Sequence, residues 1–300
     1  MKILLLGKTG QIGQAFQALA ATDHWPIAWD LIPWGREEAD LSKPDSVLTQ
    51  VEKLKPDVII NAAAYTQVDK AESERELCET INATMPEKLA AYCAQLKIPL
   101  VHYSSDYVYA GTGTAAHLES EPYSPQNFYG LTKAKGDEAI QRVANQAKLP
   151  GSIDALIFRT SWVYSHTGKN FVLTMLRLGR ERDSLNVVED QVGSPSYAPD
   201  LAEYSLDILM QALERKVETG IFPSGVYHLC NSGFTTWADF ARAILPGKTI
   251  KGILTSEYPT PAKRPLNSRL SLKKIETAFG IKPRSWQEAL QDCLKGISHE

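Results

Sequence analysis

The sequence predicts an α/β protein: a doubly wound parallel sheet followed by a smaller C-terminal α/β unit. Three observations predict it. Residues 2–6 (Lys-Ile-Leu-Leu-Leu) form an apolar run of the kind buried on both faces of a sheet, and a glycine turn and a helical pattern follow. Strand-like apolar runs and amphipathic helical patterns then alternate as far as Arg159. That alternation is the mark of parallel strands joined by crossover helices. From Thr160 onward the alternation loosens into shorter elements and a proline-rich loop.

Composition narrows the field. A chain of 300 residues suits one large or two small domains. The net charge of -3 and the lack of a long basic run argue against nucleic acid as a partner. Cys78, Cys93, Cys230 and Cys293 are scattered without a CxxC pair, as reduced thiols of a cytoplasmic protein are. The six His make no HxH or HxxxH pattern, so no zinc site is expected. The apolar run at the N-terminus is too short for a signal segment or a membrane span, and no membrane association is expected.

Taken in order, the first strand runs into Gly7-Lys8-Thr9-Gly10-Gln11-Ile12-Gly13, and a helix follows with Ile12, Phe16 and Leu19 on one face. Strand, glycine turn and helix are the context of a Rossmann-type dinucleotide fingerprint, here spaced GxxGxxG. The glycines permit a tight turn and close approach of a pyrophosphate, which the helix N-terminus attracts. A Walker A loop would require glycine at position 2, where Lys2 stands, so a nucleotide-triphosphate loop is excluded.

Residues 27–30 read as the second strand, ending in Asp30, about twenty residues past the glycines and placed for the adenosine ribose. An acid there leans toward NAD, whereas Arg36 would favour a 2′-phosphate, so NADH and NADPH both stay open. Asp40 and Leu41 follow, placed to touch the adenine, and a helix is expected over residues 44–54. Residues 56–64 read as a third strand running into Ala62, Ala63 and Ala64, small enough for a flat ligand to approach the backbone. Thr84-x-Pro86 opens the next helix, with Thr84 as its cap. The fourth strand, residues 98–103, delivers Ser105 to its carboxyl end, where ligands of open α/β sheets bind.

A loop over residues 111–124 leads to a helix that starts near Asn127 and places Tyr129 and Lys133 one turn apart on one face. A cation beside a phenol lowers its pKa, which suits a general acid. Ser105 would supply a hydroxyl to a substrate carbonyl. A break at residues 150–152 precedes a fifth strand over residues 154–159. Residues 1–160 thus read as the dinucleotide domain and residues 161–300 mainly as a smaller substrate domain, with a later strand free to return to the first sheet. The second part offers helices near 170–182, 199–213, 272–279 and 286–294, and strands at 185–188 and 226–229. Arg264 and Arg269 in its proline-rich loop are candidates to grip a phosphate or carboxylate. Trp162 is either a stacking surface for a sugar or base, or a packed core residue.

With these motifs assembled, the sequence resembles the extended short-chain dehydrogenase/reductases over nearly its whole length. The carrying stretches are the glycine turn, Asn61-Ala62-Ala63-Ala64-Tyr65-Thr66-Gln67-Val68-Asp69-Lys70-Ala71-Glu72, and His102-Tyr103-Ser104-Ser105-Asp106-Tyr107-Val108-Tyr109. Asn127-Phe128-Tyr129-Gly130-Leu131-Thr132-Lys133, Arg159-Thr160-Ser161-Trp162-Val163-Tyr164 and Tyr258-Pro259-Thr260-Pro261-Ala262-Lys263-Arg264-Pro265 complete the set. The resemblance is nearest to members that reduce the C4 keto group of dTDP-4-dehydro-L-rhamnose with NADPH or NADH. It implies Tyr129 as proton donor, Lys133 on the nicotinamide ribose, and Ser105 where the family commonly has Thr. It implies cofactor positions at Gly10, Gln11, Ile12, Asp30, Asp40, Leu41, Ala64, Tyr65 and Thr66, and dTDP-sugar positions at Ser105, Asp106 and Trp162.

Some members bridge a dimer through Mg²⁺ held by carboxylates. Here the first helix reads Gln14-Ala15-Phe16-Gln17, without an acid, so no metal and a monomer or weak homodimer are expected. Related chemistries are weighed on the same residues. A 4,6-dehydratase would carry Glu where Tyr107 stands. A 4-epimerase shares the Tyr/Lys pair. A non-catalytic subunit like that of methionine adenosyltransferase would not need Ser105, Tyr129 and Lys133 intact.

Overall fold

The apolar runs of the first half are strands of one parallel sheet in the computed structural model, which describes residues 1–145 and 153–298. The break expected at residues 150–152 lies outside the described residues. Strand β1 (Lys2–Leu6) lies between β2 (Asp30–Trp34) and β3 (Val58–Asn61), and β4 (Leu100–Ser105) and β5 (Ala155–Thr160) follow outward from β3. The order reverses between β1 and β3, and at such a switch point the crevice beyond the carboxyl ends takes a ligand. Between the strands run α1 (Gln11–Leu19), α2 (Pro44–Leu54), α3 (Arg75–Glu79), α4 (Met85–Leu96) and α5 (Phe128–Asn145).

Period-two alternation sends each strand's side chains to two different cores. Ile3, Leu5, Ile60, Val101 and Phe158 pack on one face, and Leu4, Leu6, Ile59, Leu100 and Ile157 on the other. The second face is covered by α2, α4 and α5. His102 falls on that side, opposite α5, because it alternates with Val101 and Tyr103.

The second half builds β6 (Val163–Tyr164), α6 (Phe171–Glu181), β7 (Ser184–Val188), β8 (Val192–Gly193), β9 (Ser196–Tyr197) and α7 (Ala198–Thr219). Strand β10 (Gly225–His228) then returns to the large sheet, parallel to β5, making it six-stranded. After it come β11 (Thr235–Thr236), α8 (Trp237–Ile244), β12 (Thr249–Ile253), β13 (Asn267–Ser268), α9 (Lys273–Phe279) and α10 (Trp286–Ser298). Helices α7 and α9 join α1 on the first face of the sheet. A separate core of Tyr164, Val172, Leu185, Phe240 and Leu290 holds the smaller unit, where β7 and β12 pair in parallel. Among the described residues, no helix is long and apolar enough to cross a membrane.

Two expectations are corrected. The second strand does not end at Asp30 but begins there, and Ile27 is fully exposed. Pro33 looks like a strand breaker, yet β2 is the sheet's edge strand, where a missing N–H is tolerated. Thr84 is not a cap either. It ends a π-helical turn, Thr80–Thr84, through which α3 and α4 run on as one rod. Pro86 has no N–H to bond the carbonyl of Asn82. The wide turn takes up that mismatch, and Gly136 of α5 packs against the same carbonyl, where a Cβ would lie 2.3 Å from its oxygen.

Candidate active site

The cleft at the switch point encloses about 660 Å³. Its floor follows from two glycines. Gly7 has φ +97°, and a Cβ on it would meet the Ala63 nitrogen at 2.8 Å. A Cβ on Gly13 would lie 2.1 Å from the Gly7 carbonyl oxygen, so only glycine lets α1 sit this close to β1. Gly10 caps α1 without a side chain, and no acid occupies the first turn. The first amides of α1 therefore face the cleft as open donors beside the positive end of the helix dipole.

Gly7, Gly10, Gln11 and Ile12 line the cleft, as do Asp40 and Leu41 after β2 and Ala63, Ala64, Tyr65 and Thr66 after β3. Gly13 acts from beneath, through the contact just described. Asp40 accepts hydrogen bonds from the Ser42 hydroxyl (2.7 Å) and amide (3.2 Å), and the Ser42 hydroxyl is the main cause that lowers its pKa.

Asp30 is a correction. It pairs in register with Lys2, at the amino edge of the sheet, and does not line the cleft. Four residues of strand, roughly 13 Å, separate it from the carboxyl end of β2. Gly35 and Arg36 stand at that end and line the cleft instead. Arg36 is largely solvent-exposed and lies 3.8 Å from Asp40.

A dinucleotide fits this cleft on two further observations. The Ser104 and Thr160 hydroxyl oxygens are buried without a hydrogen-bond partner among the described residues, and both residues line the cleft. Buried hydroxyls of this kind are normally satisfied, so a ligand with polar groups is what they lack. The flat walls of Ala62, Ala63 and Ala64 leave the backbone accessible.

The catalytic candidates stand where the cleft meets the second half. Asn127 caps α5 by accepting the Gly130 N–H at 2.8 Å. Gly130 in turn lets the helix rest on the loop after β4, since a Cβ there would lie 2.2 Å from the Tyr107 carbonyl oxygen. Tyr129 is thereby held edge-on against Tyr107, with ring centroids 5.4 Å apart. Lys133 lies one turn on, fully buried, and donates to the Tyr103 carbonyl at 2.7 Å. Its Nζ is also 3.4 Å from His102 Nε2, and His102 Nδ1 is 3.1 Å from the Asn61 amide.

Burial reverses one expectation about this pair. The Tyr129 phenol is pushed above its usual pKa by loss of water, with the Ser105 hydroxyl opposing. Lys133 is directed at a carbonyl, and burial lowers it to about 8 against the pull of Asp137. The cation therefore does not bring the phenol down in this arrangement.

Ser105, at the tip of β4, donates to Asp106 Oδ1 at 2.9 Å and accepts the Tyr107 N–H at 3.2 Å. Asp106 is buried, one of its oxygens has no hydrogen-bond partner among the described residues, and burial raises it to about 6 against the neighbouring Ser268 and Ser105 hydroxyls. Ser268 belongs to β13, which pairs with β8. Trp162, at φ +48°, lies over Gly193 of β8 and stacks on Trp237 at 3.6 Å. Arg264 pairs with Asp69 at 2.6 Å, beside Tyr107. Arg269 is turned to Asn267 Oδ1 at 2.9 Å. These residues do not line the cleft; Ser105, Asp106, β13, β8 and Trp162 instead follow one another as neighbours beside it. Sequence reasoning passed over His102 and Asn61, which in-register pairing of β3 with β4 brings together, and over Ser104 and Thr160. Among the described residues, no three His, Cys, Asp or Glu side chains gather as a metal site.

The family described as RmlD substrate binding domain matches residues 1–298. The chain belongs to that family. The dTDP-4-dehydrorhamnose reductase of Salmonella typhimurium is 42% identical, the match covering 98% of this chain and 97% of the relative. A dTDP-4-dehydrorhamnose reductase structure from Clostridium acetobutylicum superposes with a TM-score of 0.86 at 33% identity, covering 99% of this chain and 100% of the other. One from Bacillus anthracis, in complex with NADP, gives 0.84 at 31% identity, covering 98% and 99%. This RmlD family chain thus shares sequence and fold with these reductases over its full length.

Proposed function

We propose that this chain reduces the C4 keto group of dTDP-4-dehydro-L-rhamnose, using NADPH, to give dTDP-L-rhamnose for surface polysaccharide synthesis. The observation that carries the reading is the meeting of Tyr129, Lys133 and Ser105 at the catalytic end of a glycine-floored dinucleotide cleft. Full-length similarity to reductases of that name supports the substrate. Arg36 at the end of β2 supports NADPH over NADH.

The dinucleotide, when bound, supplies the hydride. This chain's residues do the rest. The α1 amides and Gly7 hold the phosphates. Lys133, anchored on the Tyr103 carbonyl, holds the nicotinamide ribose. Ser105 orients the keto oxygen, and Tyr129 gives its proton to that oxygen as negative charge grows there. Donors aimed at developing charge stabilise the transition state more than the ground state. Burial leaves the Tyr129 proton in place at neutral pH but makes the phenol a weaker acid, so the proton moves only as charge grows on the keto oxygen beside it.

In the same proposal, residues 1–160 mainly hold the cofactor and residues 161–300 the nucleotide sugar, with Asp106, Trp162 and Arg264 on the sugar side. The protein works in the cytoplasm as a monomer or weak homodimer. The test is consumption of NADPH and of NADH, followed by absorbance, with substrate generated from dTDP-glucose by a dehydratase and an epimerase. Consumption that requires both preceding enzymes supports the reading. With substrate confirmed, its failure with both cofactors refutes it.

A further inference from the structure

The cleft has a wall that the dinucleotide fingerprint does not explain. Gly168 and Lys169, from the loop between β6 and α6, line it together with the glycine turn. They come from the second half of the chain and reach across to the first. A Cβ on Gly168 would sit 3.7 Å from Gln11 Cγ, so the loop passes directly over the start of α1.

This approach is fastened by side chains. Asn170 donates to Gln11 Oε1 at 3.0 Å and to the Ser165 and Thr167 carbonyls at 2.8 and 3.1 Å, while its own oxygen caps α6. Thr167 donates to Gln14 Oε1 at 2.6 Å, and Gln11 donates to the Val163 carbonyl at 3.2 Å. Five hydrogen bonds among neutral groups therefore hold the loop and brace Lys169. Lys169 takes no part in them. It is exposed, and among the described residues it has no hydrogen-bond or ion-pair partner.

Two other cations nearby are committed: Lys8 is paired with Glu38 at 2.5 Å, and Lys133 is anchored on the Tyr103 carbonyl. Arg36, at the end of β2, is exposed and lies 3.8 Å from Asp40. The open amides of α1 attract an anion, and of the basic residues that line the cleft among the described residues, Arg36, Lys133 and Lys169, it is Lys169 whose loop passes over the start of α1.

We propose that Lys169 is a ligand of the cofactor's pyrophosphate, supplied across the cleft by the second half of the chain. The inference rests on the dinucleotide reading above. Lys169 meets the phosphates as a point charge, while the α1 amides meet them with directed hydrogen bonds.

The test is direct binding of NADPH and of NADH, by cofactor fluorescence, to wild-type protein and to Lys169→Ala and Lys169→Arg, with thermal melts to confirm folding. The pyrophosphate is common to both cofactors. Lys169→Ala should therefore weaken both by the same factor, roughly three- to tenfold for one exposed charge pair, and should flatten the salt dependence. Lys169→Arg should recover most of the loss. Unchanged affinities in Lys169→Ala would overturn the assignment. So would a loss confined to NADPH, which would move Lys169 to the 2′-phosphate. Wild-type protein that binds neither cofactor would refute the dinucleotide reading itself, a result distinct from either.

Discussion

Replacing Arg36 by alanine should weaken NADPH binding without touching NADH binding. The side chain stands at the carboxyl end of β2, 78% exposed, 3.8 Å from Asp40. A 2′-phosphate carries about −1.5 to −2 charges at neutral pH. Two unit charges about 4 Å apart near a protein surface attract by roughly 1 to 4 kcal/mol, depending on screening. Exposure and lost rotamer freedom bring such pairs toward ~1 kcal/mol, and two-pronged guanidinium geometry raises them again. A loss of about 1–2 kcal/mol is a roughly five- to thirtyfold weaker NADPH complex. Arg36→Glu should go further, because it sets a like charge against the phosphate. The assay is titration of cofactor fluorescence at two salt concentrations, with Asp30→Ala as companion. Asp30 faces solvent at the opposite edge of the sheet and should alter neither affinity. Equal losses for NADH and NADPH in Arg36→Ala, or weaker NADH binding in Asp30→Ala, would refute the reasoning.

Three further outcomes are expected. Tyr129→Phe should lower kcat by ~10²–10⁴-fold while leaving NADPH affinity nearly intact, and a variant with near-normal turnover would remove Tyr129 from the acid's role. His102 lies behind Lys133, so His102→Leu should lower kcat and His102→Gln, which keeps a polar contact, should recover part of it; equal defects in both would indicate packing alone. Folding stability should fall on acidification. His228 is lowered to about 3 and His102 well below its ordinary value by burial, so the unfolded chain takes up two protons below pH ~6.5 that the fold refuses. Asp106, raised to about 6, takes up one in the folded state and offsets part of this. The net loss from pH 7 to pH 5 is on the order of 2 kcal/mol, measurable as a lower urea midpoint, and a flat profile would contradict it.

How far the sequence was legible depended on the range of the interaction. The glycine turn, the β4 tip and the Tyr129/Lys133 helix are local, and each appears where its spacing placed it. Edge position is not local: the pattern places the second strand at residues 27–30, whereas β2 starts at Asp30 and brings Gly35 and Arg36 to the cleft. The π turn likewise meets a different helix, where Gly136 packs against the Asn82 carbonyl. Direction of pKa shift also escaped: helical spacing brought Lys133 near Tyr129, but burial and the Tyr103 carbonyl decided the outcome. Trp162 was left between stacking surface and core. It is stacked, on Trp237, a partner 75 positions along that nothing in the pattern tied to it.

The return of β10 to the large sheet has a consequence for how this architecture can be cut or recombined. A fragment stopping at residue 160 would leave β5, buried along its whole length, as a bare edge with unpaired amides and carbonyls, and would strip α7 and α9 from one face. Such an edge invites strand addition by another chain. Exchange of the smaller unit between relatives therefore needs several crossovers, placed so that β10, α7 and α9 stay with the parent sheet. A single junction at residue 160 would instead set β10, α7 and α9 of one parent against the sheet of the other.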